Sequence, residues 1–84
     1  MPPLRRDFGN RIKAIRVERR LTQEQFAELV DISVDFLSLI ERGINSPSFQ
    51  VLDRMAKRLR MPVRALFDFR NKPGAGGGAV KSDG

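Results

Sequence analysis

The segment LTQEQFAELVDISVDFLSLIERG, Leu21–Gly43, constrains the fold more than any other part of the chain. It holds two short amphipathic helical patterns, each opened by a hydroxyl residue. Thr22 is placed to cap the first. Gln25, three residues on, completes a capping box, in which the hydroxyl accepts from a first-turn N–H and the glutamine side chain reaches back to the cap's own N–H. Phe26, Leu29 and Val30 then fall on one face. Ser33 is placed to cap the second pattern, with Asp35 in the first turn, where an acid suits the helix dipole. Leu37 and Ile40 point inward, and Gly43 stands where a left-handed residue closes a helix. Between the two patterns lie only Asp31 and Ile32. So short a connection cannot lay two helices side by side as a long antiparallel pair. It makes them cross steeply and leaves the second free to project.

The flanking sequence supplies helices for this pair to pack on. From about Arg5 to Arg19, Phe8, Ile12, Ile15 and the stem of Arg19 recur on one face, and Leu21 closes it. After the Ser46-Pro47-Ser48 punctuation, Val51, Leu52, Met55, Ala56 and Leu59 recur at three and four. Met61-Pro62 breaks the chain, a short fifth helix covers Val63–Phe67, and Phe69 follows. No strand-like alternation and no internal repeat occur. The expectation is an all-α, compact five-helix domain over residues 8–70, preceded by an arm at 1–7. The stretch NKPGAGGGAVKSDG, residues 71–84, is expected to be a flexible tail or linker, because it has too little apolar surface to offset its ordering entropy.

Composition excludes several function classes. The chain has 84 residues, no Cys and no His, so one small domain is expected, without disulfides, thiolate chemistry, imidazole catalysis or His-based metal sites. No carboxylate pair is placed for acid–base work. The GAGGG run lacks the strand and helix that a phosphate loop needs. Neither an enzyme, a cofactor, a bound metal nor a small-molecule ligand is expected. No apolar run approaches the ~20 residues of a membrane span, and MPPLRRDFGN has no long apolar core of a signal peptide. A cytoplasmic place, at the nucleoid, is the expectation. The net charge is +6 and the pI about 11.1, which suits an anionic partner. Its distribution is uneven: residues 1–20 carry +5, 21–40 carry −4, 41–70 carry +4 and 71–84 carry +1.

The stretch RIKAIRVERRLTQEQFAELVDISVDFLSLIERGINSPSFQVLDRMAKRL resembles the Cro/CI-type helix-turn-helix family, the XRE-like repressors with a lambda-repressor-like fold. The resemblance covers about Phe8 to Phe67 and is densest in LTQEQFAELV, the ISxxxLSxIERG frame and SPS with the amphipathic helix after it. It implies binding to double-stranded DNA, with helices two and three as the helix-turn-helix. Gln23 then matches a phosphate-contacting glutamine, its alternative being a polar first-turn side chain that meets only solvent, and the Thr22 hydroxyl can face the same phosphate. Ser33, Val34, Asp35, Ser38 and Leu39 match positions that reach base edges. Val34 can pack on a thymine methyl, and Asp35 can accept from a cytosine amino group, serve the helix dipole, or both. Leu39 is apolar where the family usually has a polar or basic residue; it can meet thymine methyls, a second subunit or only solvent. Phe36 matches a position at the helix edge near the backbone. Arg42 and the loop Ile44-Asn45-Ser46 fall where the family grips the backbone. Arg16 and Glu41 match a largely buried structural ion pair. Arg20 and Asp31 stand where the family commonly has glycine.

A single module of this size binds DNA weakly, so a homodimer on a near-palindromic operator is expected, with Phe67 and Phe69 as the apolar interface and Phe49 and Leu66 in the core. Phosphate attraction is assigned to Arg5, Arg6, Arg19, Arg20, Arg42 and tail residues Lys72 and Lys81. Lys57, Arg58, Arg60 and Arg64 are read as a solvated far side. The leading function is a sequence-specific transcriptional regulator, most simply a repressor. The alternative is a protein-interaction module, for example an antitoxin or anti-regulator, because helices two and three contain no basic residue.

Overall fold

The computed structural model describes residues 4–69. The tail read at 71–84, with Lys72 and Lys81, lies outside them. Four α-helices follow in order: α1 (Leu4–Glu18), α2 (Gln23–Val30), α3 (Val34–Glu41) and α4 (Phe49–Leu59). A 3-10 turn (Val63–Phe67) ends the described chain, which contains no strand. The all-α expectation holds, but the fifth element is not an α-helix. It is five residues long and opens on Pro62, so i→i+3 closure suffices, with Ala65 N–H donating to the Pro62 carbonyl at 2.9 Å. α1 starts at Leu4, so residues 4–7 of the expected arm are its first turn, and Asp7 there suits the dipole.

The core joins every element. Ile12 and Ile15 of α1, Phe26 and Val30 of α2, Leu37 and Ile40 of α3, Met55 and Leu59 of α4, and Leu66 of the 3-10 turn are all at most 1% exposed. α1 packs on α3 and the 3-10 turn, α2 on α3 and α4, and α4 on the 3-10 turn. Gly9 permits a close approach of α1 to α3. A Cβ at Gly9 would collide with the Ile40 carbonyl oxygen and stand 3.0 Å from that of Glu41, so glycine lets α1 seat against the end of α3.

Phe49 departs from expectation. It is 88% exposed, whereas Leu66 is fully buried. It is the first helical residue of α4, one turn before Leu52, and lies about 70° from the middle of the stripe formed by Leu52, Met55, Ala56 and Leu59. Its side chain therefore projects past the end of the core. Phe67 and Phe69 are half-buried instead of free. The Phe67 ring lies 5.0 Å from that of Phe8, and Phe69 lies 6.2 Å from Phe67.

All four helices end in the same way. A left-handed residue, Arg20 (φ 61°), Asp31 (φ 65°), Gly43 (φ 76°) or Arg60 (φ 60°), is followed by an apolar one, Leu21, Ile32, Ile44 or Met61. The apolar residue's N–H donates back across the turn: Leu21 to Arg16, Ile32 to Ala27, Ile44 to Leu39 and Met61 to Ala56, at 2.9–3.1 Å. This is the 6→1 bond of the Schellman motif. Three of the four left-handed positions therefore carry side chains, which costs about 1–2 kcal/mol each for an ordinary L-residue.

Two substitutions with opposite signs check this account. Arg60→Gly should raise stability by about 0.5–1 kcal/mol, the relieved strain less the added unfolded-state entropy. Gly9→Ala should lower it by about 1–3 kcal/mol through overpacking of α1 on α3. Urea denaturation of the two variants measures both.

Candidate nucleic-acid interface

The short α2–α3 link presents two helix N-termini in succession. The Thr22 hydroxyl accepts from Gln25 N–H at 3.0 Å, and Gln25 Oε1 accepts from Thr22 N–H at 2.9 Å. The Ser33 hydroxyl accepts from Phe36 N–H at 3.0 Å. Each cap satisfies the third N–H of its helix. The first two, at Gln23 and Glu24 in α2 and at Val34 and Asp35 in α3, have no acceptor among the described residues. Such paired N–H groups, with the positive end of the dipole behind them, suit an anion.

A buried polar network sets how these ends stand relative to each other. Arg16 of α1 donates from Nε to Glu41 Oε2 at 2.7 Å and from Nη2 to Oε1 at 3.1 Å, a bidentate fork. Its Nη1 donates to the Leu21 carbonyl at 3.0 Å, in the turn before α2. Gln23 Nε2 donates to the same Glu41 Oε1 at 3.1 Å. The side chains of Arg16 and Glu41 are 13% and 4% exposed. One carboxylate at the end of α3 is thus tied to α1 and to the start of α2. The residues do not reveal the glutamine contact in advance, since Gln23 matches a phosphate-contacting position or a plain polar first-turn residue, and neither points to Glu41.

The expected base-reading positions divide by burial. Ser33 and Asp35 are exposed, while Val34, Phe36, Ser38 and Leu39 are half-buried. Val34 and Phe36 also pack on the edge of the core, which limits how far either can reach outward. Arg42, Asn45 and Ser46 are exposed beyond α3, and Arg42 makes no side-chain hydrogen bond or ion pair among the described residues. The start of α1 lies beside them. Arg5 Nη1 donates to the Ile44 carbonyl at 3.2 Å, and a Cβ at Gly43 would stand 3.0 Å from Arg6 Cα. Arg5 and Arg6 therefore flank the loop after α3.

Arg19, expected at phosphate, and Arg58, expected on a solvated face, serve helix ends instead, as do Arg11 and Arg54. Arg19 donates to the Leu59 carbonyl at 2.7 Å, at the C-terminus of α4. Arg54 donates to the carbonyls of Val30 and Asp31 at 3.1 and 3.0 Å, and Arg58 to that of Leu29 at 3.3 Å, at the C-terminus of α2. Arg11 donates to the Ala65 carbonyl at 2.9 Å. The last carbonyls of a helix lack intrahelical partners and carry the negative end of the dipole, which accounts for cations there. The sequence signal was present in the spacing of Arg54 and Arg58, one turn apart on α4, but nothing in it names α2 as their target.

Among the described residues no cluster of His, Cys, Asp or Glu is arranged to hold a metal ion. No described helix is long and apolar enough to cross a membrane. Arg16→Met should cost about 3–5 kcal/mol, because it leaves the buried Glu41 charge without its counter-ion. Thermal unfolding followed by circular dichroism would read this, and a loss below about 1 kcal/mol would contradict the burial argument.

Comparison with known proteins agrees with this architecture. A helix-turn-helix family profile (HTH_3) matches residues 12–66. The immunity repressor protein of Bacillus phage phi105 is 47% identical over 58 residues, covering 69% of this chain and 40% of the relative. The clp gene regulator ClgR of Corynebacterium glutamicum superposes with a TM-score of 0.74 at 26% identity, covering 81% of this chain and 87% of that one. The restriction-modification controller protein C.AhdI of Aeromonas hydrophila gives 0.69 at 27% identity, covering 74% and 94%. The chain spans less than half the length of the first curated relatives that it matches. With a profile match over most of its described residues and a steeply linked, doubly capped helix pair, the chain belongs to the Cro/CI-type, XRE-like helix-turn-helix family.

Proposed function

We propose that this protein is a sequence-specific transcriptional regulator of double-stranded DNA, most simply a repressor, acting as a homodimer on a near-palindromic operator. One observation carries the reading: α2 and α3 are locked by the Arg16–Glu41–Gln23 network, and each opens on two unpaired N–H groups. In this reading α3 enters the major groove. Thr22, Gln23 and the start of α2 meet one phosphate. Ser33, Asp35, Ser38 and Leu39 face base edges, with Val34 and Phe36 packing at the margin of the groove. Arg42, Asn45 and Ser46 hold the backbone beyond, with Arg5 and Arg6 beside them. Residues 8–69 form the DNA-binding unit, together with the first turn of α1.

Dimerisation is assigned to the patch around Phe49 in place of Phe67 and Phe69 alone. Phe49 is 88% and Leu4 61% exposed. They border a groove of about 210 Å³ lined by the apolar Phe8, Pro47, Leu52 and Phe67, with Arg5 and Ser46 at its edge toward the loop after α3. An aromatic knob beside an apolar hole is self-complementary about a two-fold axis, because each copy's knob meets the other's hole. Half-sites would lie about one helical turn of DNA apart.

A second reading, a protein-interaction module, is favoured by the four acids of the helix pair, Glu24, Glu28, Asp31 and Asp35. All four are exposed.

Selection from a random duplex library separates the two readings. The regulator reading expects an enriched palindrome with thymine or cytosine opposite Val34 and Asp35. Asp35→Asn should change the preferred base at one position per half-site. Arg42→Ala should flatten the log–log dependence of affinity on salt by about 1 per half-site. If folded protein enriches no site, the regulator reading fails. Phe49→Asp should leave the circular dichroism spectrum intact, shift the protein to monomer in sedimentation and weaken operator binding. A dimer that persists in this variant would place the interface elsewhere.

A further inference from the structure

Gln23 is the point where the buried ion pair meets the free N-terminus of α2. Its carboxamide could in principle present either edge outward. Glu41 removes that freedom. An ionised carboxylate offers only lone pairs, so the amide must turn Nε2, not Oε1, toward Glu41 Oε1. One Nε2 proton is used in the 3.1 Å bond, and the other remains available for an acceptor outside. Glu41 is itself held by two bonds from Arg16, so the amide is oriented by a group that cannot readily rotate.

We infer that Glu41 is a positioning residue for the phosphate contact of Gln23: the Arg16-anchored carboxylate holds the Gln23 carboxamide with an N–H beside the free Gln23 and Glu24 amides of α2. This rests on the phosphate role proposed for Gln23 above. It gives Glu41, which lies at the far end of α3 and is buried, an effect on DNA affinity that passes through α2. Preorganisation is the gain. A free glutamine side chain would lose rotamer freedom on meeting the phosphate, and here most of that loss is incurred on folding.

The contact itself can be tested without DNA. Gln23→Glu keeps the shape but sets one carboxylate against another. It should lower the melting temperature by roughly 4–8 °C. If Gln23 were a plain surface residue, an acid in the first turn would instead be neutral or stabilising through the helix dipole, and that result overturns the inference.

The coupling to DNA is read by a double-mutant cycle of Gln23→Ala and Glu41→Gln. The probe is a short labelled duplex of random sequence at low salt, since a phosphate contact does not depend on base identity. Each single variant should weaken binding roughly three- to tenfold, with the salt slope unchanged, because a carboxamide neutralises no phosphate charge. Glu41→Gln should cost nothing further once Gln23 is alanine. Removing a negative charge by itself would tighten binding, so the sign separates positioning from general electrostatics. Additive losses, or a gain in Glu41→Gln, overturn the inference and leave the DNA reading standing. Folded wild-type protein that does not bind the duplex overturns both. Should Glu41→Gln fail to fold, the Gln23→Glu comparison decides.

Discussion

Glu41 lies at the C-terminal end of the helix that projects from the domain, with a side chain only 4% exposed, and the groups that bind it, the counter-ion Arg16 and the amide of Gln23, come from other helices. Removing a carboxylate and a guanidinium from water costs several kcal/mol each, and their attraction does little more than offset that. The pair is therefore a poor source of net stability when compared with two apolar residues of the same volume. Its consequence is directional. Five donors in a rigid fork fit one carboxylate geometry, so Arg16 admits one placement of the end of α3 relative to α1. Through the Leu21 carbonyl it also fixes the start of α2. Apolar packing at Ile12, Ile15, Leu37 and Ile40 would tolerate small slides between these helices. The charged fork tolerates far less, because any slide leaves a buried charge partly unpaired.

The remaining arginines extend the same logic to the helix ends. Arg11, Arg19, Arg54 and Arg58 each donate to carbonyls at the end of an element other than their own. They join α1 to the 3-10 turn, the turn after α1 to α4, and α4 to α2. The net charge of +6 is thus a weak measure of capacity for a polyanion, since much of it is held against the protein's own backbone. Lys13, Arg20, Arg60 and Arg64 are exposed elsewhere on the described surface, and the cations beside the helix pair are few. Arg42 is exposed just past α3, and Arg5 and Arg6 flank the same loop.

Local signals explain most of what the residues reveal in advance. Thr22 with Gln25, Ser33 and Ser48 mark helix starts because a hydroxyl cap is a short-range hydrogen bond within four residues. The periodic apolar residues mark the core because helical spacing alone decides their face. Phe49 eludes this reasoning. Its spacing to Leu52 and Leu59 resembles that of core residues, and only the point at which α4 outruns its neighbours exposes it. Arg60 eludes it too, because a left-handed arginine has no composition cue of its own; the cue is the apolar Met61 after it, a pattern shared with Arg20-Leu21 and Asp31-Ile32. Gln23 and the four capping arginines lie beyond local reading altogether. Their partners are 18 to 54 residues away in the chain, and side chains of this length can reach several targets equally well until the tertiary structure selects one.

The lack of any basic residue in α2 and α3 bears on how such a module could read DNA at all. Exposed acids at Glu24, Glu28, Asp31 and Asp35 repel phosphates, but solvent and salt weaken that repulsion beyond a Debye length of about 8 Å. The N–H groups at Gln23, Glu24, Val34 and Asp35 have no acceptor among the described residues, and any phosphate they met would be held at hydrogen-bond distance, where screening is least and no side-chain entropy is lost. In the proposed reading, attraction at long range belongs to the arginines that flank the helix pair, and placement at short range to the backbone amides and Gln23. Discrimination between bases is left, in that reading, to Ser33, Asp35, Ser38 and Leu39, with Val34 at the groove margin. None of these can form the bidentate arginine–guanine pair that is the commonest specific contact. Methyl packing and single hydrogen bonds discriminate less strongly per contact, and they lose value steeply with small displacements. A module of this kind depends more than most on a rigidly held recognition helix. The buried fork between Arg16 and Glu41 provides that rigidity, and this is a physical reason for a costly charged pair to stand where apolar residues would also fit.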